Sequence, residues 1–294
     1  MWNWNEILTE ISEKWSTFDI VRRKYLAELE KHTHRHTIAY YSGFLQKPQN
    51  WLLCTIDDND KIWLMTTIHN KSVDNLDLII HTPWWDLAAA ESIIDYLKNE
   101  FSNIRVIVPQ LAMSAWTMIA CAANNIVMWK HSSLWPIDPQ YSWLPAHWIL
   151  EEFNKAHDEI KKDPSRAYVW QPIIQKYNPT LIWECQKSIS WAEQIVKNCL
   201  KDRMFNWITN ANQIISKIVK ELWDHSISFS HARHLSINKC KEIWLNIVDL
   251  ESDDELQDLV LSVHHAFMIT LTSTSVAKII ENHLWISYIS NINS

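Results

Sequence analysis

Apolar positions along the chain recur at two different spacings, and the change from one to the other organises it. Over residues 5–31 they fall at helical intervals among charged residues, which predicts an amphipathic N-terminal helix. The run 37–42 (TIAYYS) reads as a strand ending at Gly43, and the cluster 57–60 (DDND) reads as a turn. Beyond it, strand-like runs at 76–81 (LDLIIH), 104–109 (IRVIVP) and 126–128 (IVM) alternate with amphipathic helices at 87–101 and 115–123. Such alternation predicts a parallel sheet covered by helices, an α/β core. From 145 onward the spacing is mainly helical, with segments at 145–162, 169–177, 180–204, 210–222 and 254–272. No linker rich in Pro, Gly or Ser interrupts the chain. It therefore reads as a single domain over 1–294, with an N-terminal helical arm (1–31), an α/β core (37–144) and a mainly helical part (145–294).

Composition changes this picture in two respects. The formal charge of −7 argues against a nucleic-acid partner, which would normally meet a basic face. The five cysteines contain no CxxC pair, which points to reduced thiols in a cytoplasmic protein. The charged N-terminal segment is neither a signal peptide nor an anchor, and no apolar run is long enough to span a bilayer. The second respect is the glycine count. The chain has one glycine and nineteen tryptophans, where average usage gives roughly 20 glycines for this length. A fold of this size needs residues at positive φ and close backbone approaches, which glycine supplies and tryptophan does not. Most of these tryptophans therefore read as positions that are glycine in the cell, as arises when UGA specifies glycine but is translated as tryptophan; an alteration of the sequence and a natural tryptophan-rich core are the alternatives.

Candidate chemistry concentrates between 76 and 140. One strand ends in HTPWWD (81–86) before a helix, and the next ends in PQLAMS (109–114) before another. In a parallel sheet both turns fall at the carboxyl ends of neighbouring strands, where open α/β folds place their sites. Ser114 then sits at a helix start, a position for a nucleophile. Its oxyanion donors would be the N–H of Ala115 and the backbone at Trp84 and Trp85. A serine N-cap and a Thr-Pro turn are each commonplace, so neither residue alone carries this reading.

With Trp read as Gly, the segments become HTPGGD, AMSAGTMIA and MGKHSSLGPIDPQ. These resemble the serine dehydrogenase proteinase family, relatives of Clp-type proteases and signal peptide peptidase A. The similarity extends from Arg23 to Trp285 and includes YYSGFLQ (40–46), PAH (145–147), VWQP (169–172), LQD (256–258) and VHH (263–265). It departs at His34-Arg35-His36, where a Gly-Arg-Asn-like turn is expected. The resemblance implies a Clp/crotonase-type spiral of ββα units with a mainly helical C-terminal half. It further implies a Ser114 nucleophile, an oxyanion hole from positions 84, 85 and 115, and a homo-oligomer acting on peptide or unfolded-protein substrates. Trp170 and Trp191 suit the family as tryptophan.

The general base is open at this stage. Asp138 falls near the region of a Clp-type histidine, and Lys155 lies at a spacing reminiscent of a serine–lysine dyad. His147 opens the same helix as Lys155, and Lys130 and His131 are nearer in sequence. Against these stand ordinary roles, with Lys155 as a solvated residue beside Glu151 and Glu152, and Asp138 as a turn former before proline. His32, His34 and His36, the pair His231 and His234, and His264-His265 lack a zinc-like set of partners and read as packed or solvated. The acidic run 253–255 reads as the polar start of a helix. No cofactor, metal or nucleotide fingerprint is visible, and the residues do not specify whether an ATPase partner takes part. A serine peptidase is the leading expectation. A crotonase-like acyl-processing enzyme and a catalytically silent assembly protein are the alternatives, and Ser114 separates them.

Overall fold

The computed structural model describes residues 4–13, 18–83, 86–141, 144–223 and 234–292. The N-terminal arm is two helices, α1 (Trp4–Glu13) and α2 (Phe18–Thr33), and leads into β1 (His36–Ser42). The core continues through α3 (Asp58–Ile68), β2 (Asn75–His81), α4 (Leu87–Glu100), β3 (Asn103–Val108), β4 (Leu111–Ala112), α5 (Ala115–Cys121), β5 (Asn125–Met128) and β6 (Ser133–Leu134). After the short strands β7 (Gln140–Tyr141) and β8 (Leu144–Pro145) come α6 (Ala146–Lys162), α7 (Ala167–Ile174), α8 (Leu181–Cys199) and α9 (Asn212–Trp223). The chain closes with β9 (Leu235–Ser236), α10 (Ile237–Glu242), β10 (Ile247–Asp249), α11 (Asp254–Ser273), β11 (Val276–Asn282) and β12 (Ser287–Asn291).

The large sheet has the order β10-β5-β3-β2-β1-β11-β12. It is parallel from β10 to β1, and antiparallel where β11 meets β1 and β12. Its central strands look continuously apolar because both faces are covered, and successive side chains alternate between two cores. Ile38, Tyr40, Leu78, Ile80, Val106 and Met128 point toward α4, α5, α8 and α9. Ala39, Tyr41, Ile79, Ile107 and Val127 point toward α1, α2 and α11. A second small sheet, β4-β6-β9, sits past the carboxyl ends of the main strands. A long strand, a short strand and a helix therefore repeat as a unit, as in β3–β4–α5. This mixed α/β architecture meets the expectation for the core. Among the described residues, no helix is long and apolar enough to cross a membrane.

The C-terminal half is mainly helical as expected, and it closes with a strand pair not read from the sequence, because β11 and β12 form a hairpin that extends the sheet from β1. The run VAKIIEN hides this strand because three of its residues are polar. All three are buried and paired. Lys278 donates to both Asp60 carboxylate oxygens at 2.9 Å, Glu281 holds Arg22 and Arg23, and Asn282 Nδ2 donates to the Thr67 carbonyl at 2.6 Å. Two expectations are corrected. The Asp57–Asp60 cluster is a reciprocal capping box opening α3, not merely a turn. The N-terminal arm is two helices rather than one. The acidic run near 253 behaves as expected, since Asp253 caps α11 by accepting from the Leu256 N–H.

Two tryptophans occupy backbone conformations that tryptophan rarely adopts. Trp244, just past α10, has φ 78°. Its N–H bonds the Lys241 carbonyl, and the Leu245 N–H bonds the Cys240 carbonyl, at 2.9 and 3.1 Å. That is a Schellman termination, in which the left-handed residue is usually glycine. Trp285, with φ 70°, is the third residue of the four-residue loop between β11 and β12, again a position that calls for a left-handed residue.

Candidate active site

The site is built from the two turns that follow β2 and β3. Thr82, just beyond β2, bridges in parallel to Ala112 at the base of the Ser114 turn, so the two loops share one register. Thr82 is held from behind, accepting from the Ser42 hydroxyl at 2.8 Å and donating to the Cys54 carbonyl at 3.3 Å. On the other side, β4 pairs with β6, and the Trp135 N–H donates to the Ala112 carbonyl at 3.0 Å. The hydroxyl of Thr117, in the first turn of α5, donates back to the Trp135 carbonyl at 2.8 Å. The turn carrying Ser114 is thus stapled to the strand that runs on toward Asp138.

Ser114 itself has φ 42° and ψ −98°. No regular element uses this conformation, and a non-glycine residue held there stores on the order of 1–3 kcal/mol. Asp86, at the end of the other turn, also has positive φ, at 47°, and caps α4 by accepting from the Ala88 and Ala89 N–H groups at 2.9 and 3.1 Å. Ser114 and Asp86 face one cavity of about 150 Å³. Its polar wall adds Asp138, Gln140 and Ser188, and its apolar wall comprises Leu87, Ala115, Met118, Ile137, Trp191 and Ala192. Asp138 is 1% exposed.

The sequence-derived candidates separate cleanly. Ser114, Ala115 and Asp138 line this cavity together. Trp84 and Trp85 lie outside the described residues. Lys155 is exposed and lines a different cleft, of about 430 Å³, with Trp148, Glu151, Glu152, Trp170 and Tyr177. The helical period explains this placement. Positions 148, 151, 152 and 155 share one face of α6, whereas Ile149 and Ala156 are the buried face. His147, second in α6, is half-buried and does not line the Ser114 cavity. Lys130 and His131 are exposed on the loop after β5, where the Lys130 N–H bonds Glu251.

The histidines play other parts. His32 pairs with Asp253 at 3.1 Å, and His36 is buried with Nε2 3.0 Å from the Thr67 carbonyl. His81 is fully buried on the α11 side, packed against Tyr41, Phe44 and His264. Burial lowers its pKa to about 3 and holds that of His264 well below the ordinary value, so both are neutral at physiological pH. Among the described residues, no group of three or more His, Cys, Asp or Glu side chains is placed to hold a metal ion.

Asp86, Gln140, Ser188 and Trp191 were not singled out as site residues from sequence. Asp86 had a visible signal, as a helix-capping residue closing the HTPWWD turn. Gln140 closes the PIDPQ segment two residues after Asp138, while Ser188 and Trp191 come from α8, far along the chain, and are brought in by tertiary packing alone.

Comparison with known proteins adds to this geometry. Two uncharacterized proteins of Methanocaldococcus jannaschii are similar. MJ1495 is 29% identical over 66% of this chain and 58% of its own length, and MJ0137 is 31% identical over 70% and 64%. The chain thus spans about three fifths of the length of these relatives. Among solved structures, a ClpP1 mutant from Listeria monocytogenes aligns over 71% of this chain and 98% of its own, at 15% identity and a TM-score of 0.38. The family model for ClpP-like SDH-type serine proteinases matches residues 11–260, a span that takes in both loops, the Ser114 cavity and the first third of α11. The chain belongs to the ClpP-like SDH-type serine proteinase family.

Proposed function

We propose that this chain is a serine endopeptidase that hydrolyses peptide bonds through an acyl-enzyme on Ser114. The observation that carries the reading is the backbone of Ser114. It is held out of every regular conformation at the mouth of a cavity, between two loops that are stapled to one another. Strain of that kind persists only where the surroundings impose it, and a strand-to-helix turn that presents a serine is a recurrent nucleophile geometry.

In this reading, Ser114 Oγ attacks the carbonyl carbon of the scissile bond and its proton passes to a base. The oxygen that becomes negative is met by the N–H of Ala115, which as the first residue of α5 is among the donors a helix leaves without an internal acceptor. The backbone at 84–85 supplies the partner donor. The tetrahedral intermediate then expels the amine, which takes up the proton, and water hydrolyses the ester. Asp138 is assigned as the proton acceptor, because it is the candidate base that shares the cavity with Ser114. The other carboxylate of the wall, Asp86, serves the α4 cap.

The test is hydrolysis of an unfolded protein substrate by variants. Ser114→Ala is expected to abolish turnover, and Asp138→Asn to lower kcat with KM little changed, while Lys155→Ala and His147→Ala remain active. Full activity in Ser114→Ala would overturn the nucleophile. A rate that vanishes in Lys155→Ala while Asp138→Asn stays active would move the base to the lysine.

A further inference from the structure

We infer that Trp191 sets the size limit of an apolar subsite beside Ser114, so that the preferred peptides carry a medium-sized apolar residue at the attacked carbonyl and discriminate against larger aromatic ones. This inference rests on the nucleophile reading of Ser114. Ser114 lines the cavity of about 150 Å³, whose inner surface is predominantly apolar. A carbonyl positioned for attack by Ser114 directs its own side chain into that space. Among the described residues no lysine, arginine or histidine lines it, while Asp86 and Asp138 do. An acidic side chain would therefore enter against two carboxylates with no compensating cation.

Trp191 is the largest side chain of the wall, beside the aliphatic Leu87, Met118 and Ile137, whereas Ala115, Ser188 and Ala192 contribute little bulk. The indole is fixed rather than mobile. Its ring N–H donates to Glu91 Oε2 at 3.0 Å, joining α8 to α4. Glu91 lies one turn along α4 from Leu87, itself part of the lining, so the bond ties two walls of the subsite together. The indole is 42% exposed on its outer side, so truncating it enlarges the cavity outward without removing a packed core residue.

The probe is a series of fluorogenic peptides with a common leader, ending in Ala, Leu, Phe or Trp before the leaving group, assayed on the wild type, Trp191→Ala and Glu91→Ala. The wild type should prefer Leu. Trp191→Ala should raise kcat/KM for Phe and Trp relative to Leu by about tenfold or more, the usual scale for reshaping an apolar pocket. Glu91→Ala keeps the indole but releases it, and should shift the same ratio in the same direction by a smaller factor. Ratios within twofold of wild type in both variants would overturn the assignment. Fluorophosphonate labelling of Ser114 in the same preparations separates the two layers. Labelling with unchanged ratios rejects the subsite alone, whereas a wild type that neither labels nor hydrolyses rejects the nucleophile and the subsite with it.

Discussion

Replacing Trp244 or Trp285 by glycine should stabilise the protein, which is unusual for deleting so large a side chain. Each residue is held at a φ of 70° or more, a conformation that costs an L-residue roughly 1–2 kcal/mol and glycine almost nothing. Little packing is lost in exchange, because Trp244 is 58% and Trp285 62% exposed. The contacts forfeited are Lys217 near the Trp244 ring, at 5.8 Å, and Arg23 near the Trp285 ring, at 5.9 Å. At exposed sites such contacts are worth about 0.5–1 kcal/mol. Each substitution should therefore gain about 0.5–1 kcal/mol, read as a higher urea midpoint at unchanged slope. Trp170 and Trp191 provide the contrast. Their indole N–H groups donate to Glu159 at 2.9 Å and Glu91 at 3.0 Å, and Trp170→Gly should destabilise by several kcal/mol, about 3–5 for a large buried side chain. The buried Trp116 and Trp223 and the half-buried Trp129 have buried ring N–H groups with no hydrogen-bond partner, each costing about 1–3 kcal/mol. Their single replacement leaves a void, so the exposed left-handed sites are the cleaner test. The same division should appear in the gene, with UGA codons at 116, 129, 223, 244 and 285 and UGG at 170 and 191. Loss of stability on Trp244→Gly and Trp285→Gly, or UGG at all of these codons, would refute the reasoning.

Three further outcomes are expected. Asp77 is fully buried between Arg35 at 2.6 Å and Arg105 at 2.5 Å, so Asp77→Asn leaves two cations with half a partner and should cost about 3–5 kcal/mol in urea denaturation. His81 and His264 are neutral when folded, and their folded pKa values lie below the unfolded value. Their contribution is complete above about pH 6.5 and is lost as pH falls, toward about 3 for His81, and His81→Leu should flatten that acid limb. Thr117→Val removes the hydroxyl that ties α5 to the Asp138 strand and should slow fluorophosphonate labelling of Ser114 on the order of tenfold, whereas Thr117→Ser should restore it.

The parallel strands were legible because burial on both faces makes them continuously apolar, and the helices because their apolar residues keep a 3.6-residue period. The closing hairpin was not, since Lys278, Glu281 and Asn282 read as surface residues until their buried partners are known. Ser114 could be found because it follows a buried strand within a recognisable motif. Lys155 illustrates the opposite case, as a count of residues from the serine does not say which face of α6 a side chain occupies. Trp191 joins the cavity from a helix far along the chain, through packing that no local pattern encodes.

The central claim is that Ser114 is the nucleophile. Its most direct test is fluorophosphonate labelling followed by peptide mapping, in protein carrying glycine at 84, 85, 116, 129, 135, 223, 244 and 285. A single adduct on the peptide containing Ser114, lost in Ser114→Ala while the urea midpoint stays in place, is the expected result. A folded protein that hydrolyses peptides yet carries the adduct on another residue, or none at all, would contradict the account.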